Sequence, residues 1–572
     1  MFQPAVGRRQ DGGLAKGGNY MKRNIGRLTS LVLAATIMAA SVAGCGGSKG
    51  AASSNGSTAA ASSAAESASA APETEPVAAS STLGNKALSV GYSVSIDSLT
   101  CFRSNTGRNA PYLINLFESL AILSPASGEM EPWAAKSWET KDGGYTYSVE
   151  IWDNITDSEG HKITASDVVW YINTAVEKAL MPNFGKVESV TKTGDYTFDV
   201  KLTTNIVGAF EALLFDTKII SEEAYKASSD EFATKAVTTS AYECTEFTPG
   251  NSIGFTRRDD YWQTDIEALP ECVRPLVKEL NYSIITEASQ LGIALETGTI
   301  QLGIDVDSST GAQFVGNDQF VVNLTDGQQG WEMFFSGADS RVVAEDQNLR
   351  QAICYAIDAQ GLITGLCSGY GTQMWDVCPP DRIGFLEKWK NEPYYEYDAD
   401  KAKELLAASS YNGETLTILC SSSTFVSRLA QMIQNYLQAV GIKAELYSVD
   451  MALLTSIRLD GTKYDMFLNT IGGTYLPDHW SIRYDPAAYE TGDATSRHDN
   501  ELAELLYKTW TVDGFTDENI DEVHNYIKES AIAYGLVNPQ SFTIWRGDAG
   551  LVKEVRGGLT NFVNPAACQF TE

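Results

Sequence analysis

Residues 416–446, LTILCSSSTFVSRLAQMIQNYLQAVGIKAEL, decide the fold class. Leu416 to Cys420 is a short apolar run, the length of a buried strand. Leu429, Met432, Ile433, Tyr436, Leu437 and Val440 then recur at three- and four-residue steps, which puts them on one face of a helix. Gly441 stands where a helix ends in the left-handed conformation, which glycine enters without a Cβ clash. Ile442 to Leu446 reads as the next strand and Tyr464 to Leu468 as another. Strand, helix and strand in this order predict an α/β fold, a sheet covered by helices. The Met and Tyr on that stripe are core side chains by the same spacing, not a ligand surface.

The pattern extends outward. Tyr145, Tyr147, Val149 and Ile151 alternate with Thr146, Ser148 and Glu150, a half-buried strand, and Tyr196, Phe198, Val200 and Leu202 repeat it. Between them Thr164-Ala165-Ser166-Asp167 opens a helix, with Thr164 as N-cap and an acid at the third helical position. Val168, Tyr171, Ile172 and Ala175 form its apolar stripe. Leu349 to Ile363 is predicted as one helix with Ala352, Ile353, Ala356 and Ile357 inside. There is no internal repeat. A chain of 572 residues exceeds one hydrophobic core, so two or three domains are expected.

Composition narrows the chemistry. Lys and Arg number 42 against 73 Asp and Glu, a net charge of −31 that repels nucleic acid and favours solubility. The nine cysteines include no C-x-x-C pair, and the four histidines (161, 479, 498 and 524) are scattered, so neither a metal site nor a cofactor is expected. Without Cys45 eight cysteines remain, compatible with disulfides or with buried free thiols. There is no H-E-x-x-H. The G-x-S-x-G match from Gly46 to Gly50 lacks the flanking strand and helix that a nucleophile elbow needs. The expectation is a protein that is not an enzyme.

The amino terminus reads as an address. Lys22, Arg23 and Arg27 precede an apolar stretch, Leu28 to Ala43, too short for a membrane span of about 20 residues. It closes on Val42-Ala43-Gly44-Cys45, which resembles the lipobox of bacterial lipoproteins, whose cysteine thiol receives a diacylglycerol and becomes the first mature residue. Lipidation at Cys45 and residence on the outer face of the cell membrane are therefore expected. Residues 1–20 do not fit a signal peptide. They are expected to be upstream sequence, with the start at Met21, and Lys16-Gly17-Gly18-Asn19 is encodable by a purine-rich ribosome-binding sequence. Residues 46–85, rich in Ala, Ser and Gly, form a flexible linker reaching roughly 35 Å.

Several blocks in order resemble the extracellular solute-binding proteins of family 5, the oligopeptide- and dipeptide-type lipoproteins of ABC importers. They are Asn115 to Leu120 followed by Pro132 to Glu139, Tyr145 to Ile151 followed by Ile163 to Val168, and Phe247 to Ile253 followed by Arg258 to Trp262. Two more are Leu349 to Asp358 with Gly369-Tyr370-Gly371, and Tyr397-Asp398 with Lys401-Ala402 and Leu405-Leu406. The resemblance implies a type II periplasmic-binding-protein fold with two hinged lobes and an inserted domain. It places lobe I at 86–115, 237–333 and 537–572, the inserted domain at 116–236 and lobe III at 334–536. It implies a peptide or other small-molecule ligand in the cleft, a membrane permease and an ATPase as partners, and a monomer. An oligosaccharide, another organic solute or a metal chelate is the alternative cargo. A surface sensor or adhesin on the same fold is a further reading.

Two departures bear on the ligand. Where the family carries G-T-G-P-Y, this chain has Thr238-Thr239-Ser240-Ala241-Tyr242. The family's peptide binders place an amine-pairing aspartate in a glycine-rich stretch, whereas Ile471 to Leu476 holds no acid and Asp478 is the nearest. Either Asp478 or another acid replaces that anchor, or the cargo has no free amine, because a buried unpaired ammonium is costly. The candidate ligand residues are Tyr475, Asp478, His479 and Trp480 in an expected cleft-facing loop, the aromatics Trp331, Phe335 and Trp375 near the crossing between lobes, and Ser240 and Tyr242 by motif position.

Overall fold

The computed structural model describes residues 83–102, 107–125, 127–326, 330–392, 394–470, 474–485 and 499–571. Cys45, the signal segment, the linker through residue 82, the glycine pair 472–473 and His498 lie outside the described residues.

Three sheets organise the chain. The largest has seven strands in the order Phe320–Thr325, Ser541–Arg546, Leu302–Val306, Ala87–Tyr92, Glu279–Ile284, Ser252–Arg257 and Tyr242–Thr248. Ala87–Tyr92 pairs in parallel with Leu302–Val306 and Glu279–Ile284, and antiparallel strands flank that trio. The second sheet has six strands, ordered Gly371–Gln373, Ala533–Pro539, Trp331–Phe335, Met466–Asn469, Leu416–Ser421 and Ala444–Val449. Here Leu416–Ser421 is parallel to both Ala444–Val449 and Met466–Asn469. A four-stranded antiparallel sheet, Ala135–Thr140 to Val187–Lys192, forms between the first and second strands that the chain contributes to the large sheet. Each larger sheet therefore holds a parallel trio, central in the first and at one edge in the second, with antiparallel strands beside it, and helices supply the crossovers that parallel pairing requires.

The chain leaves the first sheet after Thr325, enters the second at Trp331, and returns between Pro539 and Ser541. Gln540 sits between the two sheets on the return path, and its amide donates to Asp326 Oδ1 on the outward path at 3.2 Å.

The β-α-β unit stands as read. Strand Leu416–Ser421 leads into helix Thr424–Val440, which ends on Gly441 with φ +95°. Leu429, Ile433, Leu437 and Val440 are buried, as the stripe requires. The helix Ala165–Glu177 begins with Thr164 as N-cap, and Asp167 accepts from the Thr164 backbone N–H at 2.8 Å, closing a capping box. The helix expected over 349–363 is instead two, Gln347–Ala356 and Ala359–Cys367. Asp358 breaks it: its carboxylate accepts from the Gly361 N–H at 2.8 Å and caps the second helix. An aspartate that can satisfy a first-turn amide competes with helix continuation, and here it wins.

The eight described cysteines are all free thiols, and all but Cys244 are buried. Burial pushes the Cys272 and Cys568 thiols up to about 12. Among the described residues no helix is long and apolar enough to cross a membrane.

Candidate functional site

The two larger sheets face a common cavity of about 370 Å³. Ser93, Thr286 and Asp307 enter it just past the carboxyl ends of the parallel strands Ala87–Tyr92, Glu279–Ile284 and Leu302–Val306. This is the crevice where open α/β sheets bind ligands, because successive crossovers diverge there and leave the strand ends uncovered. From the second sheet come Trp331, the first residue of its strand, and Phe425, in the first turn of the helix that follows Leu416–Ser421. Pro539, Gln540 and Ser541 of the return crossing complete the wall.

The two walls differ in chemistry. Trp331 and Phe425 form an aromatic platform, ring centroids 5.6 Å apart and planes tilted by 32°. On the first-sheet side Arg108 Nη2 lies 3.2 Å from Asp305 Oδ2. Ser541 Oγ donates to Asp305 Oδ1 at 3.0 Å, and Tyr92 Oη donates to the Arg108 carbonyl at 2.7 Å. Asp305 adopts a left-handed backbone, φ +53°, where the register of its strand slips between Gly303 and Val306. Asp307 is occupied as the cap of the short helix Ser308–Gly311, accepting from Ser309 N–H at 3.0 Å and Thr310 N–H at 3.2 Å. A larger cavity, about 440 Å³, is lined by Tyr355, Tyr397, Asp398 and Lys528. It belongs to the second sheet's side alone and so is not an inter-sheet site.

Of the residues singled out from sequence, Trp331 lines the inter-sheet cavity. Phe335, at the far end of the same strand, is core. Trp375 is half-buried between the two cores of the second sheet, with the Lys390 ammonium 6.0 Å from its ring centroid. Ser240 and Tyr242 are buried in the first-sheet region, away from the cavity wall. Ser240 Oγ donates to the Ile114 carbonyl at 3.2 Å and Tyr242 Oη to the Val277 carbonyl at 2.6 Å. The hydroxyl run that replaces the family's glycines works the same way, with Thr239 Oγ1 donating to Ile219 O at 2.6 Å.

The expected cleft-facing loop is a correction. Residues Leu476–Tyr484 form a helix with Pro477 in its first turn, where a missing N–H costs nothing, and most of it is buried. Tyr475 packs against Gly208 so closely that a Cβ there would lie 2.6 Å from its ring, and Gly208 has φ +95°. Asp478 is buried and ion-paired with Lys186, so its charge is already answered. His479 Nε2 donates to the Val377 carbonyl at 2.8 Å and lies 3.3 Å from Glu332 Oε1. Trp480 is fully buried in the core of the second sheet's other face. Burial holds the Glu332 carboxyl above the usual range, opposed by His479 beside it. No group of three or more metal-ligating side chains occurs among the described residues.

Arg108, Asp305, Phe425 and Ser541 were missed in the sequence. Phe425 could have been found, since the first turn of a helix after a parallel strand points at the strand ends. Asp305 could not, because its direction depends on a register slip.

The family described as "Bacterial extracellular solute-binding proteins, family 5 Middle" matches residues 129–490. A glutathione-binding protein GsiB from Shigella boydii is 25% identical over 328 residues, 55% of this chain and 60% of the relative, so the chain spans less than two thirds of that relative. The fold is similar to that of NikA from Brucella suis, solved with Fe(III)-EDTA (TM-score 0.71, 17% identity, 85% of this chain and all of that one). It is also similar to DppA from Helicobacter pylori in complex with the peptide STSA (TM-score 0.69, 20% identity, 85% and 98%).

Proposed function

Because the chain belongs to the family 5 bacterial extracellular solute-binding proteins, we propose that it is the solute-capturing component of an ABC importer. It holds a small peptide or peptide-like solute between its two larger sheets and delivers it to a membrane permease. The observation that carries this reading is the cavity of about 370 Å³ walled by both sheets at the carboxyl ends of parallel strands. Its volume lies near the lower end of the roughly 300–1,000 Å³ typical of small-molecule sites. The curated relative named for glutathione binding supports a short peptide over a long one. We take the lobes as the resemblance implies them, with 116–236 inserted in the first, but set the crossings at 326–330 and at Gln540, since Trp331–Phe335 and Ala533–Pro539 are both strands of the second sheet. The paired crossings at Asp326 and Gln540 form the hinge, and two short connections suit a hinge closure. Diacylglycerol on Cys45 tethers the body to the outer face of the membrane.

Native mass spectrometry of protein recovered from its host tests the capture. A bound solute of defined mass is expected, retained by the wild type and lost in Trp331→Ala. Recovery without any solute, and no rise in melting temperature with a peptide library, would sink the reading. Palmitate labelling that survives Cys45→Ala would remove the anchor while leaving the capture untouched.

A further inference from the structure

The charged wall of the cavity contributes little to folding. Arg108 and Asp305 meet through a single contact of 3.2 Å, and their side chains are 49% and 42% exposed. Exposed pairs of this kind contribute about 0–1 kcal/mol. Asp305 nevertheless occupies a left-handed backbone, which aspartate and asparagine enter more readily than other side chains but glycine enters at no cost, at a strand irregularity that turns it toward the opening. Glycine would relieve that conformation, and strain of this kind collects at functional positions. The other carboxylates nearby are committed, Asp307 to its helix cap and Asp478 to Lys186.

We propose that the Arg108–Asp305 pair is a ligand-exchangeable anchor, and that the cavity selects a solute carrying an ammonium and a carboxylate on one carbon, the head of an α-amino acid. This rests on the solute-binding reading. The guanidinium and carboxylate are too close together to meet the two distant termini of a long peptide at once. A head group with both charges on one carbon meets both, carboxylate to Arg108 and ammonium to Asp305. One ion pair becomes two, no net charge enters the cavity, and each bond is charge-assisted. Ser541 Oγ holds the second Asp305 oxygen during the exchange. The remainder of the solute lies on Trp331 and Phe425, which bury apolar area without demanding a particular side chain.

Calorimetry on the full chain tests this with L-phenylalanine, N-acetyl-L-phenylalanine and L-phenylalaninamide, and with γ-glutamylcysteinylglycine and its N-acetyl form. The probes with a free head are expected to bind, and each blocked form to bind at least about tenfold more weakly, the loss of one hydrogen bond to a charged group. Asp305→Asn keeps the shape and tolerates the left-handed backbone, so its melting temperature stays near that of wild type. It is expected to erase the discrimination against the N-acetyl forms, while Arg108→Gln erases the discrimination against the amide. Equal affinity for free and blocked probes, no binding by any headed probe, or unchanged affinities in both variants would each overturn the proposal. A co-purifying solute without this head, still lost in Trp331→Ala, would overturn it and leave the solute-binding reading standing. Absence of any solute, together with no rise in melting temperature on a peptide library, would bring down both.

Discussion

Trp331 and Glu332 are neighbours on one strand, yet they face two different polar worlds. Trp331 looks into the inter-sheet cavity, beside charges that are half exposed and loosely joined. Glu332 points to the other face, where it is fully buried and 3.3 Å from His479. The two part at a register irregularity of the strand, Trp331 packing beside one core of the sheet and Glu332 facing His479 on the other side. Chemistry-bearing residue types thus mark a site only when the packing leaves them reachable. Asp478, His479 and Trp480 have the more suggestive composition, and all three are consumed by structure. Arg108 and Asp305 are unremarkable in sequence, and they are the charges left at the opening.

The largest effect expected across that divide comes from a pair of tryptophans. Trp480→Ala removes a fully buried side chain and is expected to cost about 3–5 kcal/mol of stability in denaturant unfolding. Trp331→Ala is expected to cost much less and to abolish solute binding. Equal destabilisation by the two, with solute affinity intact in Trp331→Ala, would make the cavity wall ordinary core and erase the distinction.

Titration separates buried carboxylates from the open pair further. Burial pushes the Glu118 carboxyl up to about 8 even though Trp262 Nε1 donates to it at 2.9 Å, and Glu332 moves in the same direction. Both bind a proton more tightly folded than unfolded. Their contribution to stability is therefore complete below the ordinary glutamate value of 4.5 and declines as pH rises, and for Glu118 it is gone above about 8. The expected loss amounts to a few kcal/mol at most, because a tenfold difference in proton affinity is worth about 1.4 kcal/mol. Glu118→Gln and Glu332→Gln should each flatten the dependence of the melting temperature on pH between 5 and 8. A wild-type profile that rises through this window would contradict the buried state of both groups.

The smallest expected effect is on the open side. Arg108→Gln and Asp305→Asn should each change the unfolding free energy by less than about 1 kcal/mol. A loss of several kcal/mol from either would show that the pair is a folding element and would weaken its assignment to the ligand.

Local chemistry made much of the fold legible. The 416–446 unit needs only an apolar run, a 3.6-residue stripe and a terminal glycine, and each signal is contained within about thirty residues. The Thr164–Asp167 capping box is equally local. The helix over 349–363 misled because its apolar spacing continues through Ile357 while Asp358 supplies a new cap, and periodicity does not register a cap in mid-pattern. The site was legible only at Trp331. Which face Phe335 turned to, whether Asp478 was already paired, and where Asp305 pointed all depend on partners more than a hundred residues away or on a register slip between strands. The whole-chain resemblance supplied the architecture that local patterns could not assemble.

The free cysteines also govern how this molecule can be watched. Cys101, Cys272 and Cys568 lie in the region of the seven-stranded sheet, and Cys354, Cys367, Cys378 and Cys420 in that of the six-stranded sheet, all buried. A buried thiol is invisible to an alkylating reagent until its surroundings open. The chain thus carries a reporter set already divided between its two halves. Pulse alkylation followed by peptide mapping would time the opening of each half without introducing a label, and a saturating solute should delay both clocks together if it clasps the two sheets.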